Sequence, residues 1–541
     1  MSYRLLAAGV VLVALLKAIY HRLTRISVRH VPGPPSPSFF IGNMREFHQR
    51  PVAEADFEWQ AKYGDIVRFK AAFGEDRILV MDPKALQYIY QTSGYNFRKP
   101  AEINELSRII AGNGILSAEL DVHKRHRKVL LPGFGAPECR AFWPIFCYHA
   151  TQLSSKWKDI ISTSLNEEAV VDVPRWSSRV MLDAIGEAAF DYRFGAMDDD
   201  ETPLSKAYSR LVSETFGALP DAAIFTQNLW AYIPSEWLHI ISSYTPGMDF
   251  TLARHTEKIA TDVAKELVEI KTRELLQGGM NRDVMSLLVK ANTTENDSAK
   301  LDEDELLAQM RTIMLAGHET TANTVNWALL ELARHSEIQQ RLRHEIWAKQ
   351  TDLGHEIGVG DLDSMPYLQA VIKETLRYHP VLPVTHRDAG RDDVLPLSKP
   401  IRLTTGKVLH ELPIPKGQKL TLSIAGYNRN KDIFGEDAHV FNPDRWLSGS
   451  PKNSVNVGVY SNLLTFAGGL RSCIGFRFAL LEFQAFMIEL VGTYEFSLTQ
   501  EAENIRREPC GTMTPFIEGQ SGREAHLPLR IKFASKSAER L

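Results

Sequence analysis

Hydrophobic and polar residues follow different periods along the chain, and each period predicts a different element. Residues 5–16 are an unbroken run of Leu, Ala, Gly and Val, continued by Ala18, Ile19 and Tyr20 around Lys17. The run alone is shorter than the roughly 20 residues that cross a bilayer, but Lys17 can snorkel and extend the segment to Tyr20. Residues 63–70 and 77–81 alternate or are β-branched, with Phe73-Gly74-Glu75-Asp76 between them, which predicts a hairpin; Asp82-Pro83 then opens a helix. From there to about Arg377 the period is mostly helical, and strands return near Val381 and at the C-terminus. Residues 302–335 contain no proline, begin with Asp302-Glu303-Asp304-Glu305, and repeat apolar residues at Leu306, Met310, Ile313, Met314, Val325 and Leu329. They predict one helix about 50 Å long, with its acids at the favourable end. The middle of that helix is unusual, because Ala316-Gly317-His318-Glu319-Thr320-Thr321 puts Gly, an acid and hydroxyls where a core helix uses Leu or Ala. The pattern is that of a mainly α protein with small β-sheets.

The length allows several domains, yet no long low-complexity linker divides the chain, so one large domain is expected. Hydrophobic residues at 44% and charged residues at 24% suit a globular protein with ample core, and a net charge of -4 argues against a nucleic-acid partner. Cys139, Cys147, Cys473 and Cys510 show no paired spacing that would suggest a disulfide framework or zinc site, and that usage suits a reducing compartment. A cleaved signal peptide is the alternative reading of the N-terminus, against which stands the lack of a small-x-small cleavage site after the run. Lys17, Arg22, Arg25 and Arg29 follow the run against Arg4 before it, which leaves the main domain cytosolic and the sequons at Asn292 and Asn296 unmodified. Residues 31–37, Val-Pro-Gly-Pro-Pro-Ser-Pro, make a stiff hinge, or else a plain disordered linker. No Walker loop and no Gly-x-Gly-x-x-Gly supports a nucleotide site.

The densest chemistry lies in Phe466-Ala467-Gly468-Gly469-Leu470-Arg471-Ser472-Cys473-Ile474-Gly475, which runs into the apolar helix-forming residues 476–491. Cys473 reads as a haem-iron ligand, since a helix start offers unpaired N–H groups and a positive dipole end that keep a thiolate ionised. Gly469 and Gly475 let backbone approach a flat macrocycle, Arg471 can reach a propionate, and Phe466 packs on the ring. The alternative is a small buried cysteine in a Gly-rich turn. The spacing Phe-x-x-Gly-x-Arg-x-Cys-x-Gly resembles the signature of the cytochrome P450 family, the haem-thiolate monooxygenases, and the resemblance extends over about residues 32–541. It implies a cytochrome P450 fold with residues 1–30 as membrane anchor and basic flank, 31–37 as hinge and 38–541 as the haem-binding monooxygenase domain.

The resemblance also implies roles for other stretches. His123-Lys124-Arg125-His126-Arg127-Lys128 stands where the family has a Trp and, four residues on, an Arg on a propionate; this chain keeps Arg127 but has His123 for the Trp. Lys124, Arg125 and Lys128 would then flank the thiolate side, where an acidic electron donor docks, or form only a solvated face. Ala316 and Gly317 resemble the small residues of the oxygen-binding segment, and Glu319-Thr320 its acid–alcohol pair, the alternative being a Thr bonded back to the preceding turn. Glu374 and Arg377 match a Glu-x-x-Arg pair that joins Arg445 in a structural network, and Arg387 matches another propionate ligand. Substrate contacts are expected from residues 101–116, 215–232, Ile313, Ala316, 381–385 and 513–516, among them Phe216, Leu219, Phe225, Trp230, Val381, Val384 and Phe516, so the substrate is lipophilic. The implied cofactor is haem b (iron protoporphyrin IX) with a Cys thiolate ligand. The chain after Cys473 is too short for a flavin reductase domain, so electrons would come from NADPH–cytochrome P450 reductase, with O2 as oxidant. The expected location is the endoplasmic reticulum membrane, and the motif style is that of fungal secondary metabolism, with a terpenoid as one candidate scaffold. A haem-thiolate isomerase or dehydratase and a non-enzymatic haem sensor remain alternatives.

Overall fold

The stretch with the longest helical period folds as one helix because its start is specified. In the computed structural model, which describes residues 26–198, 203–204, 206–208, 219–233, 237–238, 240–241, 248–277, 283–292, 300–449, 455–519 and 525–535, Asp302 Oδ1 accepts the N–H of Glu305 at 2.7 Å and Glu305 Oε2 accepts the N–H of Asp302 at 3.1 Å. Such a capping box satisfies two orphan donors and is worth about 1 kcal/mol. The helices around the site are α1 (Ala101–Ala111), α2 (Leu120–Leu130), α3 (Trp143–Ser162), α4 (Val173–Phe190), α5 (Met248–Leu276), α6 (Glu303–Arg334), α7 (Pro366–Tyr378) and α8 (Phe476–Thr493). Glu305 also accepts from Arg125 at 2.8 Å and contacts His126 at 3.0 Å, fastening α2 to the start of α6. A Cβ on Gly317 would sit 2.6 Å from Ile185 Cγ1, so glycine there is required by the close approach of α4. On α8, Phe478 packs edge-on against Phe146 of α3 with ring centroids 4.7 Å apart.

The hairpin expected at 63–81 forms as β1 (Ile66–Lys70) and β2 (Asp76–Val80), with Ile66 opposite Val80, and Asp82 caps the following helix by accepting the Ala85 N–H. β2 runs parallel to β8 (Lys419–Ser423), which pairs antiparallel with β5 (Val384–Ala389), and β3 (Phe97–Arg98) closes the edge of this five-stranded sheet. A second sheet orders β4 (Glu168–Asp172), β12 (Pro528–Phe533) and β9 (Tyr494–Leu498); β6 (Asp393–Arg402) pairs with β7 (Val408–Ile414), and β10 (Ile505–Cys510) with β11 (Thr512–Ile517). β3 and β4 interrupt a stretch whose period reads as helical. Both are short and owe their conformation to partners far along the chain, such as Leu529 opposite Val171.

The N-terminal apolar run lies outside the described residues, among which no helix is long and apolar enough to cross a membrane. The proline-rich stretch at 31–37 is tied to the body: Arg68 donates from its backbone to Pro32 O at 2.9 Å and from Nε to Val31 O at 3.1 Å, and Val31 is buried. Leu219 and Phe225, expected at the substrate, pack instead in a separate apolar cluster with Trp59, Phe69 and Ile224 beneath the first sheet. Phe216 falls outside the described residues.

Glu374 and Arg377 of α7 are both 0% exposed and pair through two contacts, Arg377 Nε to Oε2 at 2.8 Å and a second nitrogen to Oε1 at 2.7 Å. Arg445 Nε reaches both oxygens of Glu374 at 3.1 Å, Trp446 Nε1 donates to Oε2 at 2.9 Å, and the Asn442 N–H to Oε1 at 2.7 Å. Arg377 spends its remaining N–H groups on the carbonyls of Asn428, Ala438 and Val440. Removing one partner of such a buried pair leaves the other charge uncompensated, at a cost of about 3–5 kcal/mol. Glu374→Ala should therefore lower the unfolding midpoint sharply, measured by calorimetry; a variant with wild-type midpoint would show the network to be dispensable.

Candidate active site

The loop before α8 is built from short turns at Leu464–Phe466 and Gly469–Arg471. Ala467 adopts φ 54° and ψ −165°, a region that costs a non-glycine residue about 1–3 kcal/mol and persists only where the surroundings impose it. The imposing contacts come from Asn428, whose Oδ1 accepts the Leu464 N–H at 3.0 Å and whose Nδ2 donates to Thr465 Oγ1 at 2.9 Å. Gly469, at φ 62°, has no room for a Cβ because the Tyr90 carbonyl lies against it. Its glycine answers that backbone crossing, and the residue is not among those lining the cavity below. Gly475 does line it, and a Cβ there would meet only Phe134 at 3.7 Å.

Cys473 lines a cavity of about 190 Å3, whose walls include Phe466, Ile474, Ala316, Gly317 and Thr320. Its N–H donates to Phe466 O at 2.9 Å. Cys473 is exposed to this cavity, yet the protein packed around it pushes the thiol up by desolvation, while the Gly475 backbone N–H and the Arg127 guanidinium pull it down, with desolvation prevailing. Arg127 is positioned by donating to the Ser472 carbonyl at 2.7 Å and hydroxyl at 3.1 Å, so it braces the residue before the cysteine.

A cationic cluster stands beside this loop. Arg471 pairs with Glu119 and lies over the Tyr95 ring at 4.9 Å, while Arg387 is buried and donates to His386 O at 2.7 Å. Lys99, which no spacing marked, feels both: burial first, then Arg471, with Arg387 adding, push its pKa down to about 8 against the opposing pull of Glu119. His123 is pushed down to about 3 by burial and by Arg471, Lys99 and Arg127, so it is neutral, and its Nδ1 meets Tyr95 Oη at 2.8 Å. Cations that depress one another's protonation suit an anionic ligand, and the neighbouring cavity, with an apolar wall and one thiol, suits a flat apolar body. The residues present fit haem b, with Cys473 towards its metal and Lys99, Arg387 and Arg471 towards its carboxylates.

Helix geometry separates the acid–alcohol pair. Thr320 lines the cavity, and its hydroxyl donates back to Ala316 O at 2.8 Å, yet α6 stays continuous. Glu319 is off the cavity wall: Oε1 accepts from Ser178 Oγ of α4 at 2.9 Å and lies 3.4 Å from His318 Nε2. Burial raises its pKa, but His318 and Ser178 outweigh that and hold the carboxyl below its usual value. Of the expected substrate residues, Ile115, Ile313, Ala316, Val381 and Leu382 line the cavity, while Val384, Met513 and Phe516 do not. On the basic helix, Lys124 and Lys128 are exposed, but Arg125 is committed to Glu305 and Lys300 O, which corrects its place on a docking face.

Fold and site together define a haem-thiolate protein of mainly helical architecture. A model of the family described as cytochrome P450 matches residues 32–516. The chain is 33% identical over 542 residues to cytochrome P450 monooxygenase 205 of Postia placenta, covering 97% of each chain. It is 32% identical over 506 residues to a ganoderic acid synthetase of Ganoderma lucidum, covering 89% of this chain and 90% of the relative, and 31% identical over 511 residues to cytochrome P450 monooxygenase claQ of Ampulloclitocybe clavipes, covering 92% of each. This chain belongs to the cytochrome P450 family, whose members are monooxygenases that use haem b with a cysteine thiolate ligand, O2 and a redox partner.

Cys473→His should abolish the thiolate-type Soret band of the reduced, carbon monoxide-treated protein; an unchanged band would dismiss Cys473 as the ligand. A lysine whose folded pKa lies below its unfolded one binds fewer protons when folded, so the penalty from Lys99 is full below about pH 8 and fades as the pH rises towards its ordinary 10.5. Lys99→Met should accordingly raise the melting temperature of haem-stripped protein at neutral pH while speeding haem loss to a scavenger apoprotein. The opposite pair of results would remove Lys99 from the cofactor site.

Proposed function

We propose that this monooxygenase oxidises a lipophilic secondary metabolite, with a terpenoid as one candidate, from an anchored position on the cytosolic side of the endoplasmic reticulum membrane. The observation that carries the reading is the cavity itself, where Cys473 and Thr320 are joined by apolar walls from Ile115, Ile313, Val381 and Leu382. Those walls offer a substrate area to bury and few groups to hold a charge. Kinship with a ganoderic acid synthetase and with other fungal monooxygenases supports a role in secondary metabolism. The anchor reading rests on the apolar run at 5–16, and exposed Phe39 and Phe40, in ring contact with one another and, through Phe39, with Phe73, supply an apolar surface near that end. NADPH–cytochrome P450 reductase is the electron donor in this reading, met by the exposed Lys124 and Lys128.

Haem b, when held by the Cys473 thiolate, supplies O2 binding and oxygen-atom transfer. The chain's own residues exclude water and manage protons. Thr320 Oγ gives its hydrogen to Ala316 O and so presents lone pairs to the cavity, where they can hold a water in place. Glu319 carries a proton from the α4 side of α6 towards that water. Mass spectrometry of metabolites from yeast carrying the chain with a reductase tests the function; a new product requiring O2 and NADPH supports it, and an isomerised product formed without either would refute it. With that product in hand, Thr320→Ala should leave haem content intact and divert most consumed NADPH to peroxide, whereas Glu319→Gln should mainly slow turnover, by about tenfold or more. Full coupling in Thr320→Ala would make the pair structural.

A further inference from the structure

His318 stands between Glu319 and the rest of α6, and its ring is held in one orientation. Nδ1 lies 2.7 Å from Met314 O. A carbonyl oxygen can only accept, so Nδ1 carries a hydrogen; the flipped ring would set a C–H against the carbonyl at a distance too short for it. With Nδ1 protonated, Nε2 is an acceptor in the neutral ring and a donor only in the imidazolium. Nε2 lies 3.4 Å from Glu319 Oε1, within ion-pair reach. Two acceptors facing each other repel, so the pair is satisfied by one proton between them, as imidazolium with carboxylate or as imidazole with carboxylic acid. Both groups are shielded from water: His318 is 1% and Glu319 13% exposed at the side chain.

The surroundings leave that proton as the one that titrates. From α4, Ser178 donates its hydroxyl to Oε1, and from α6 itself Asn323 Nδ2 stands 3.5 Å from Oε2 while donating to Thr512 Oγ1 of β11 at 3.2 Å. Tyr208 packs its ring on His318 with centroids 5.1 Å apart, and its burial raises the phenol well above its usual value. Cys510 of β10, pushed up to about 12 by burial and by Glu508 and Glu319, stays a thiol. None of these groups changes charge between pH 5 and 9, and serine and asparagine do not titrate there.

We propose that His318 is the proton-holding partner of Glu319, sharing one proton between Nε2 and Oε1 and releasing it as Glu319 turns towards the Thr320 side of the helix. The proposal rests on the reading of Glu319 as a proton carrier given above. In the step, the N–H bond at Nε2 breaks and an O–H bond forms at Oε1; Glu319 gives up that proton at the cavity, and the pair, left as imidazole and carboxylate, takes one proton back from solvent water. His318 is thus a positioning residue, acting through Glu319 and touching no substrate.

The spectroscopic test uses full-chain haem-loaded protein and needs no substrate, and the turnover assay above then decides whether the proton is used. Infrared difference spectra between pH 5 and pH 9 are recorded for wild type, Glu319→Gln and His318→Asn, each with ring-labelled histidine. In wild type one labelled imidazole band should titrate and one carboxylate band should shift with the same midpoint, because Glu319 stays ionised and feels its partner change, and both changes should be absent in Glu319→Gln. In His318→Asn, which keeps a donor for Met314 O but cannot hold a proton, the carboxylate shift should be lost and a protonated-carboxyl band should grow in at the acid end, because burial then acts without an opposing cation. A carboxylate shift that persists in His318→Asn, or no histidine band lost in Glu319→Gln, overturns the proposal. Should His318→Asn fail to bind haem, the comparison of wild type with Glu319→Gln decides alone. If the bands behave as expected while Glu319→Gln keeps full turnover, the shared proton stands and its use in oxygen chemistry falls.

Discussion

The buried carboxylate of Glu374 is the constraint from which the position of Cys473 follows. It accepts from Arg377, Arg445, Trp446 and the backbone of Asn442, so its charge is spread over donors from two segments far apart in sequence. Arg377 passes the constraint on by donating to the Asn428 carbonyl. The Asn428 side chain then fixes Leu464 and Thr465, and the Thr465 hydroxyl returns to Leu376 O of α7 at 2.6 Å. Phe466 follows directly and accepts the Cys473 N–H. Each link is a hydrogen bond with little freedom, because charge-assisted and amide bonds in a dry interior are costly to leave unmade. A loop with Ala467 in a strained conformation can persist at the end of such a chain.

The long helix divides its chemistry between two faces. Thr312, Ala316, Thr320 and Thr324 recur every fourth residue and line the cavity. Successive residues on a helix point about 100° apart, so His318 and Glu319 turn towards α4 and Tyr208. Such a segment has poor intrinsic propensity, and three of its threonines bond back to the fourth carbonyl before them. It stays helical because flanking residues such as Met310, Met314, Val325 and Leu329 are fully buried, which outweighs a few tenths of a kcal/mol per residue.

Around the cysteine, burial and charge work against each other. Desolvation favours the thiol, and the Gly475 N–H with Arg127 favours the thiolate. The same low dielectric that raises the thiol makes Lys99 an unwilling cation beside Arg471 and Arg387. Both tensions are relieved by one kind of ligand, with a cation at its centre and carboxylates at its edge, which is the make-up of haem b.

Much of this protein is written in short-range pattern. The long helix, its acidic start, the first hairpin, the cysteine loop running into α8 and the Glu374–Arg377 pair all follow from residues a few positions apart, where helical and strand periods and turn chemistry act. The tertiary structure alone decided the rest. Gly469 is glycine because of Tyr90 and Gly317 because of Ile185. Arg125 is taken by Glu305, and Leu219 and Phe225 are drawn under the sheet. Lys99 enters the site through a fold that brings it to Arg471, and Ser178 meets Glu319 across two helices. In each case the deciding partner is distant along the chain. Sequence spacing encodes which residues share a face, whereas which face meets which is settled only when the whole core packs.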